Sequence, residues 1–409
     1  MHNDMVADRV HSSFMIKVCR LIAFIVGIGI NFDHFSIMGV SVVSLIIILY
    51  FFFVILTFGG SKIRTNERMF YWPPIAYLLL LVFLNIINSN DVSDSVFPVS
   101  FIFCLVLYYI SIIHVKKDPN SIMSFLFGIS VGGVLLTLFF NLGIGVEYES
   151  GRLFLFGSNP NNLGCLMCLS AAIILDVWII KDYFKLKFLR YSFAVLLIPI
   201  IQVIFATASR TAFLALAIVI ILAFSITPTK RIITKVFYIF VLVAIIYFVY
   251  QSLADYETLY LRVVEMGETE DYTSGREGRW QMLFNVALQN PLGMGQTGFA
   301  KIAKSIMSSS DIDGMASPHN VFLEVLLYTG FAGFIIMSYF WFHVIKKTWL
   351  FYKGNKDLLL VLLMSVLLVQ MLLGQILIFR TAWIVFGIIA GINLQEVCSR
   401  NRLNKTYGK

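Results

Sequence analysis

The sequence predicts an all-helical protein that crosses a membrane about twelve times, and three observations support this prediction. The chain of 409 residues is 59% hydrophobic and 13% charged, whereas soluble domains have about 45–50% apolar and about 25% charged residues. It contains a series of apolar runs of the length needed to cross a hydrocarbon core, which is about 20 residues. A single long polar segment, 253–318, interrupts the series.

The apolar runs are joined by short loops, so we expect one integral membrane domain over residues 1–409. The twelve predicted spans are 14–31, 35–58, 70–87, 96–115, 121–145, 162–180, 191–207, 211–227, 236–252, 319–345, 358–378 and 381–396. The polar segment 253–318 then forms a large outer loop between the ninth and tenth spans. This loop is expected to contain one or two short helices.

One of these loop helices is predicted to begin near Arg276. Trp280, Leu283, Phe284 and Ala287 recur there at helical spacing. We expect this helix to lie along the membrane surface and to cover a cavity below it.

Basic residues predict the orientation of the chain. Most of the 31 Lys and Arg residues fall in alternate loops and at both termini, and loops rich in Lys and Arg are cytoplasmic in membrane proteins. Both termini are therefore predicted to be cytoplasmic. The net charge of +8 reflects this topology and does not indicate nucleic-acid binding.

Eight basic residues fall on the outer side, against this bias. Arg210 and Arg380 lie in tight turns between spans, and Arg152 precedes a loop rich in turn-forming residues. Guanidinium groups stay charged and bind phosphate oxygens in a bidentate manner, so these arginines indicate a site for the phosphate of a lipid anchor. Contact with ordinary lipid headgroups is the alternative for each of them. The eight residues are Arg152, Arg210, Arg262, Arg276, Arg279, Lys301, Lys304 and Arg380.

His319 is the histidine with a recognisable chemical context. Ser317 can cap the tenth span and Pro318 suits a first helical turn, so we expect His319 at the helix N-terminus. The positive end of a helix favours a neutral imidazole, which can accept a proton from a hydroxyl group. A capping or interfacial histidine is the alternative interpretation.

Few ionisable or metal-binding residues occur within the spans. Asp176 and Glu324 are candidates for function because charged groups in membranes are costly. An ion-coupled transporter would need several such groups facing one another, and no inverted repeat is visible. Cys165 and Cys168 are interpreted as small residues at a helix interface, so no metal site is predicted.

The order and spacing of several motifs resemble the O-antigen ligase/polymerase superfamily. The motifs are Arg152, Asn159-Pro160-Asn161-x-Leu163-Gly164, Ser209-Arg210-Thr211, Gly275-Arg276-x-x-x-Trp280, Asn290-Pro291-Leu292-Gly293-x-Gly295, Pro318-His319-Asn320-x-x-Leu323 and Gly330-x-x-Gly333. The resemblance covers residues 150–333 well. The arrangement of spans around one large outer loop extends it across the chain.

The resemblance implies a GT-C-like glycosyltransferase of the bacterial cytoplasmic membrane. Its donor would be a polyprenyl-diphosphate-linked glycan and its acceptor another glycan, and the reaction would need no cofactor, nucleotide sugar or metal. Membrane lipid is a further partner, and the family leaves room for a chain-length regulator.

The resemblance also implies roles for particular residues. Arg210 and Arg276 would bind the donor diphosphate as it leaves, and His319 would act on the acceptor hydroxyl. We therefore expect Arg210, Arg276 and His319 to converge in one outer pocket. Further candidates for substrate binding are Arg152, Arg279, Arg380 and Asn320.

Two reactions are open within the superfamily. A polymerase would transfer the growing chain to a new lipid-linked repeat unit, whereas a ligase would transfer the finished chain to the lipid A-core. We favour a polymerase because polymerases are the more numerous and divergent members. Two alternatives come from other classes: a flippase for lipid-linked oligosaccharide, and a subunit without a site of its own.

Overall fold

A computed structural model describes residues 2–33, 35–37, 40–59, 67–88, 96–149, 151–181, 187–226, 276–306 and 318–393. Nearly all of this part of the chain is helical. In chain order the helices are α1 (His2–Gly29), α2 (Val42–Phe58), α3 (Arg68–Asn88), α4 (Val96–Lys117), α5 (Ser121–Asn141), α6 (Pro160–Ile173), α7 (Lys187–Ala206), α8 (Arg210–Ile226), α9 (Arg276–Gln289), α10 (Gly295–Ile306), α11 (Val321–Asn355), α12 (Leu359–Leu373) and α13 (Arg380–Gly391).

Short elements complete the ends of these helices. A 3-10 turn, Ile30–Phe32, follows α1, and a π-helix, Ile174–Ile180, continues α6. Two antiparallel hairpins are present in the described residues. They are β1 (Ser36–Ile37) with β2 (Val40–Ser41), and β3 (Val146–Glu149) with β4 (Arg152–Leu155).

The helices agree with the predicted spans. Within the described residues, six helices are long and apolar enough to cross a membrane, and five shorter helices are also apolar. Each of them overlaps a predicted span, so the chain is an all-α polytopic membrane protein. The predicted span 236–252 and the loop residues 253–275 and 307–317 lie outside the described residues.

Several span boundaries differ from the prediction; α1, for example, begins at His2, whereas the first span was expected to begin at residue 14. The second span was expected to begin at residue 35, but the β1–β2 hairpin takes its first residues and α2 begins at Val42. The tenth span was expected to end at residue 345, whereas α11 continues to Asn355. Hydropathy does not detect this extension, because the added residues include several lysines. Lysine is polar but has a high helix propensity, so the helix continues.

Apolar side chains cover the outside of the bundle as well as its interior. Leu56, for example, is 76% exposed on α2, which is expected where the surrounding medium is lipid. Helix α6, by contrast, is almost wholly buried. Its small residues allow close approach to α8, where the thiol of Cys168 donates to the carbonyl of Ala212 at 3.2 Å. The interpretation of Cys168 as an interface residue is consistent with this contact.

The polar contacts between loops form two groups, one at each end of the bundle. At the end predicted to be cytoplasmic, Lys116 pairs with Glu67 and Lys181 pairs with Asp357. At the other end the contacts join the starts of α8 and α13, the hairpins, and the segments around α9 and α10. The contacts of Arg20 and Lys181 lie at the first end, and those of Arg152, Trp280, Gln296 and Arg380 lie at the second.

The carboxylate of Asp118 anchors the end of the bundle that is predicted to be cytoplasmic. Arg20 donates to it twice, at 2.5 and 2.7 Å. Burial alone would raise the pKa of the Asp118 carboxyl, but contacts with His114 and Arg20 outweigh it and hold this pKa well below its usual range. These charged side chains therefore pair with one another within the protein.

Candidate functional site

Arg210 begins helix α8 after a tight turn made without glycine. Ala208 adopts the left-handed conformation of this turn, with φ +48°, which is unfavourable for an alanine. Ser209 caps the helix, and its hydroxyl accepts the N–H of Ala212 at 3.3 Å. Arg210 thus occupies the first helical position, at the positive end of α8, with a half-buried side chain.

Arg152 lies against the same turn. Its Nε donates to the carbonyl of Thr207 at 3.3 Å, and its Nη2 donates to Oδ1 of Asn161 at 2.9 Å. The same Oδ1 accepts the hydroxyl of Ser209 at 2.9 Å. Asn161 therefore links the arginine of strand β4 to the residue immediately before Arg210.

The ends of α6, α8 and α12 pack closely around this network. A Cβ placed on Gly164 would lie 2.5 Å from Cβ of Ala212, so only glycine fits at this crossing. From α12, Gln370 donates to Oδ1 of Asn162 at 3.1 Å. This packing holds the turn that carries Arg210 in one place.

His319 lies immediately before α11, in a left-handed conformation with φ +50°. The helix N-cap is Asn320, whose side-chain oxygen accepts the N–H groups of the second and third helical residues at 3.0 and 3.1 Å. The predicted cap, Ser317, lies outside the described residues, and Pro318 precedes the helix instead of starting it. The prediction erred because the short side chain of Asn320 caps equally well. His319 is half-buried just beyond the positive end of α11.

Helix α9 begins at Arg276, where the sequence periodicity predicts it. Leu283 and Ala287 are buried, whereas Phe284 is 48% exposed and does not share their environment. The side chain of Arg276 lies outside the described residues. The orientation of α9 along the membrane surface remains a prediction.

Trp280 fixes the first turns of α9 to the segment beside His319. Its indole Nε1 donates to the carbonyl of Pro318 at 2.8 Å. Because Arg276 is one turn earlier on the same helix, the start of α9 lies next to the start of α11. The sequence places Trp280 in a motif but gives no indication of this partner.

The turn that follows α9 is seated in a break of helix α11. Gly330 has φ +63° and ψ −163°, which interrupts the helical backbone. The N–H of Phe331 donates to the carbonyl of Pro291 at 3.0 Å, and the N–H of Met294 donates to the carbonyl of Leu327 at 3.1 Å. The glycine motifs of the loop and of α11 therefore meet in space.

Helix α10 is attached to α3. Oδ1 of Asn85 accepts the N–H groups of Gln296 and Thr297 at 2.7 and 3.3 Å, and so caps α10 from another helix. Further along α10, Lys301 donates to the carbonyl of Asn88 at 2.7 Å. The described part of the polar segment is thus fixed to α3 and α11.

Arg380 is held by protein groups. It forms an ion pair with Asp33 and donates to the hydroxyls of Ser41 and Ser44 at 3.3 and 2.9 Å. Its guanidinium also lies 5.8 Å from the ring centre of Phe103. This set of partners ties α13 to the segment around β1 and β2, which is a structural role.

The predicted site residues thus fall into three places at one end of the bundle. Arg152 and Arg210 meet around Asn161, and the helix of Arg276 and Arg279 meets the segment of His319. Arg380 belongs to a separate cluster with Asp33. Sequence analysis did not recognise the linking roles of Asn161, Ser209, Trp280 and Asn85, although polar residues next to helix ends were a signal for them.

The arrangement suits the binding of an anion beside a hydroxyl group. Guanidinium groups and helix N-termini stabilise negative charge, and an imidazole can accept or orient a proton. Within the described residues no cluster of three or more His, Cys, Asp or Glu side chains could hold a metal ion.

Replacing Asn161 by alanine is expected to weaken substrate binding by releasing Arg152 and Ser209 from their shared acceptor. The variant should fold, because replacing asparagine by alanine leaves only a small cavity. We expect a loss in stability of about 1–3 kcal/mol, since the donors of Arg152 and Ser209 lose their acceptor. Thermal unfolding in detergent and the donor KM would check this. Asn159→Ala is the comparison variant, because the Asn159 side chain caps α6 by accepting the N–H of Asn161, so the variant removes this cap and keeps the Asn161 side chain. An unchanged KM in Asn161→Ala would contradict the linking role.

Comparison with known families gives a match over part of the chain. The sequence model of the family described as O-antigen ligase matches residues 192–338. This range includes Arg210, Arg276 and His319 and extends through the break at Gly330. No match was found among curated proteins.

Proposed function

Because this chain belongs to the O-antigen ligase/polymerase superfamily, we propose that it polymerises polyprenyl-diphosphate-linked oligosaccharide repeat units. The reaction would take place at the outer face of the bacterial cytoplasmic membrane and would build O-antigen or a similar surface polysaccharide. The observation that supports this proposal best is the position of Arg210 and His319. Arg210 begins α8 and His319 lies just before the N-cap of α11, at the same end of the membrane bundle.

In the proposed reaction, an acceptor hydroxyl attacks the anomeric carbon of the donor glycan. A bond forms from the acceptor oxygen to that carbon, and the bond from the carbon to the diphosphate oxygen breaks. Arg210 and Arg276, with Arg152 beside Arg210, neutralise the charge that develops on the leaving diphosphate. His319 accepts the acceptor proton or orients the hydroxyl.

Arg279 and Asn320 are proposed to contribute to substrate binding. Arg279 is half-buried on α9, one turn after Arg276. The side-chain oxygen of Asn320 is used to cap α11, so its contribution would come from its amide nitrogen. Arg380 is not included, because its guanidinium binds Asp33.

A ligase that transfers the glycan to lipid A-core is the second candidate. The matched family is described as O-antigen ligase, and its match is compatible with both reactions. Both reactions need the same diphosphate site and differ in the acceptor. A flippase would use the same arginines without changing the glycan.

Reconstituted protein supplied with lipid-linked repeat units would distinguish these functions. A polymerase lengthens the glycan, and a ligase transfers a finished glycan only when lipid A-core is added. A flippase leaves the glycan length unchanged. In a deletion strain, we expect lipid A-core carrying a single repeat unit; bare core with accumulated lipid-linked polymer would instead indicate a ligase.

A further inference from the structure

Gln370 of α12 is a buried amide of which only the nitrogen is paired. It is 1% exposed, and its Nε2 donates to Oδ1 of Asn162 at 3.1 Å and to the carbonyl of Gln375 at 3.4 Å. Its Oε1 has no hydrogen-bond partner among the described residues. A buried carbonyl oxygen without a partner is costly, and an apolar side chain of the same size would fill this position without that cost. Packing alone therefore does not account for the amide.

Asn31 provides a comparison, because it is a buried amide with the same kind of unpaired oxygen. It is 5% exposed, and its Nδ2 donates to the carbonyls of Gly27 and Ile129 at 3.0 and 3.4 Å. These carbonyls belong to α1 and α5, so Asn31 joins two helix backbones. The closest partner of Gln370 is instead a side chain, that of Asn162. Gln370 therefore fixes the orientation of a second polar group.

Asn162 lies in the first turn of α6, directly after Asn161. Asn161 faces α8, because its Oδ1 accepts the hydroxyl of Ser209 at 2.9 Å. Successive side chains of a helix point about 100° apart, and Asn162 faces α12. The hydroxyl of Thr211 also donates to a carbonyl at the end of α12 at 3.4 Å, which brings this end against the start of α8. Asn162 thus lies within the cluster of three helix ends that holds Arg210.

The bond from Gln370 determines which part of the Asn162 amide stays available. Because the oxygen is held by Gln370, the planar amide turns its nitrogen away from the Gln370 side chain. This nitrogen carries two N–H donors. The Asn162 side chain is half-buried, and none of the described residues accepts a hydrogen bond from its nitrogen. Asn162 therefore offers donors to a ligand bound at the helix ends around Arg210.

The chemistry of the site indicates which part of a ligand these donors meet. Guanidinium groups suit the charged oxygens of a diphosphate, and Arg152 and Arg210 lie with Asn161 on the side of α8. A side-chain amide is neutral and fixes the orientation of neutral polar groups in a binding site. In the proposed donor the diphosphate is bonded directly to a sugar. The neutral oxygens closest to the charged ones are therefore those of that sugar.

We propose that Asn162 binds an oxygen of the sugar bonded to the donor diphosphate, through the N–H groups of its amide. Gln370 is a positioning residue that acts through Asn162 and keeps these N–H groups directed at the ligand. The group recognised is a hydroxyl or acetamido oxygen of a lipid-linked sugar, whereas the diphosphate is bound by the arginines. This inference rests on the proposed function, since it concerns the donor of that reaction.

Equilibrium binding to the purified protein in detergent tests this assignment with two probes. One probe is the lipid-linked repeat unit, and the other is polyprenyl diphosphate without a sugar. For Asn162→Ala we expect the Kd of the repeat unit to rise about 3- to 10-fold, the value of one neutral hydrogen bond. The Kd of the sugar-free probe should stay within about twofold of the wild type, because its contacts are with the arginines. An equal rise for both probes would assign Asn162 to the diphosphate and overturn the sugar contact.

Gln370→Met tests the positioning role. Methionine keeps the size and removes the unpaired oxygen, so we expect the unfolding temperature to stay the same or rise. A purely structural Gln370 predicts an unchanged Kd, whereas the proposal predicts a rise of about threefold or more that does not exceed that of Asn162→Ala. In the double variant the Kd should equal that of Asn162→Ala, because Gln370 acts through Asn162. An unchanged Kd in Gln370→Met, or a double variant in which the two increases multiply, would contradict this role.

Asn31→Ala is the matched control, because Asn31 is a buried amide that donates to backbone carbonyls. This variant should unfold at a lower temperature and bind both probes as the wild type does. A wild-type Kd for the repeat unit in Asn162→Ala would overturn the proposal, and normal transfer by the wild type would then leave the proposed function intact. If the Kd values change as expected but the wild type transfers no glycan, the proposed function fails and the sugar contact stands.

Discussion

Arg210→Ala should eliminate long-chain surface polysaccharide while the protein remains in the membrane at a normal level. The side chain begins α8 at the positive end of the helix, beside the network of Arg152 and Asn161. Removing a group that stabilises the developing charge typically lowers kcat by about 10²–10³-fold. Arg210→Lys keeps a charge but loses the bidentate geometry, so we expect an intermediate rate.

Gel profiles of surface polysaccharide and transfer assays with purified protein would measure this effect. His319→Ala should give a similar loss, since it removes the group that acts on the acceptor hydroxyl. Lys346→Ala is a suitable control, because Lys346 is exposed on α11 away from the site. Polysaccharide of normal length in both Arg210→Ala and His319→Ala would rule out the proposed site.

Gly330→Ala is expected to release the turn after α9 from helix α11. A Cβ on Gly330 would lie 2.3 Å from the carbonyl oxygen of Pro291, and the residue has a left-handed φ of +63°. The strain of such a conformation, about 1–3 kcal/mol, adds to the clash between two backbones. We expect a loss of stability of about 3 kcal/mol or more, with increased cleavage of residues 276–306 in limited proteolysis.

Gly278→Ala provides the control for this prediction. Gly278 lies in the first turn of α9, and a Cβ there would meet nothing within 4 Å. Alanine is the better helix former by about 1 kcal/mol, so the unfolding temperature should stay the same or rise. If Gly330→Ala unfolded at the wild-type temperature and resisted proteolysis equally, the contact between the two glycine motifs would not be needed for stability.

The break at Gly330 also explains why the glycine motif of the loop occurs together with the glycine motif of α11. Gly293 approaches Gly330 from the turn, and a Cβ on Gly293 would lie 2.4 Å from the backbone nitrogen of Gly330. The contact fixes the end of α9 to α11, while Trp280 fixes its beginning to Pro318. Helix α9 is therefore attached at both ends to the helix that follows His319.

The sequence was sufficient to predict most of the helices, their apolar character and the start of α9 at Arg276. These properties depend on the length of apolar runs and on residues a few positions apart, which can be read along the chain. The same local signals led to an error at His319, because neighbouring residues compete to cap one helix and only the backbone conformation decides between Ser317 and Asn320.

Only the tertiary structure decided which partner each polar side chain takes. Arg380 and Asp33 are 347 positions apart, and Arg152 meets the carbonyl of Thr207 across 55 positions. Arg152 and Arg380 carry the same charge and lie on the same predicted side of the membrane, yet one lies beside Arg210 and the other in a separate ion pair. Helix packing brings these groups together, and local propensity contains no information about contacts over such distances.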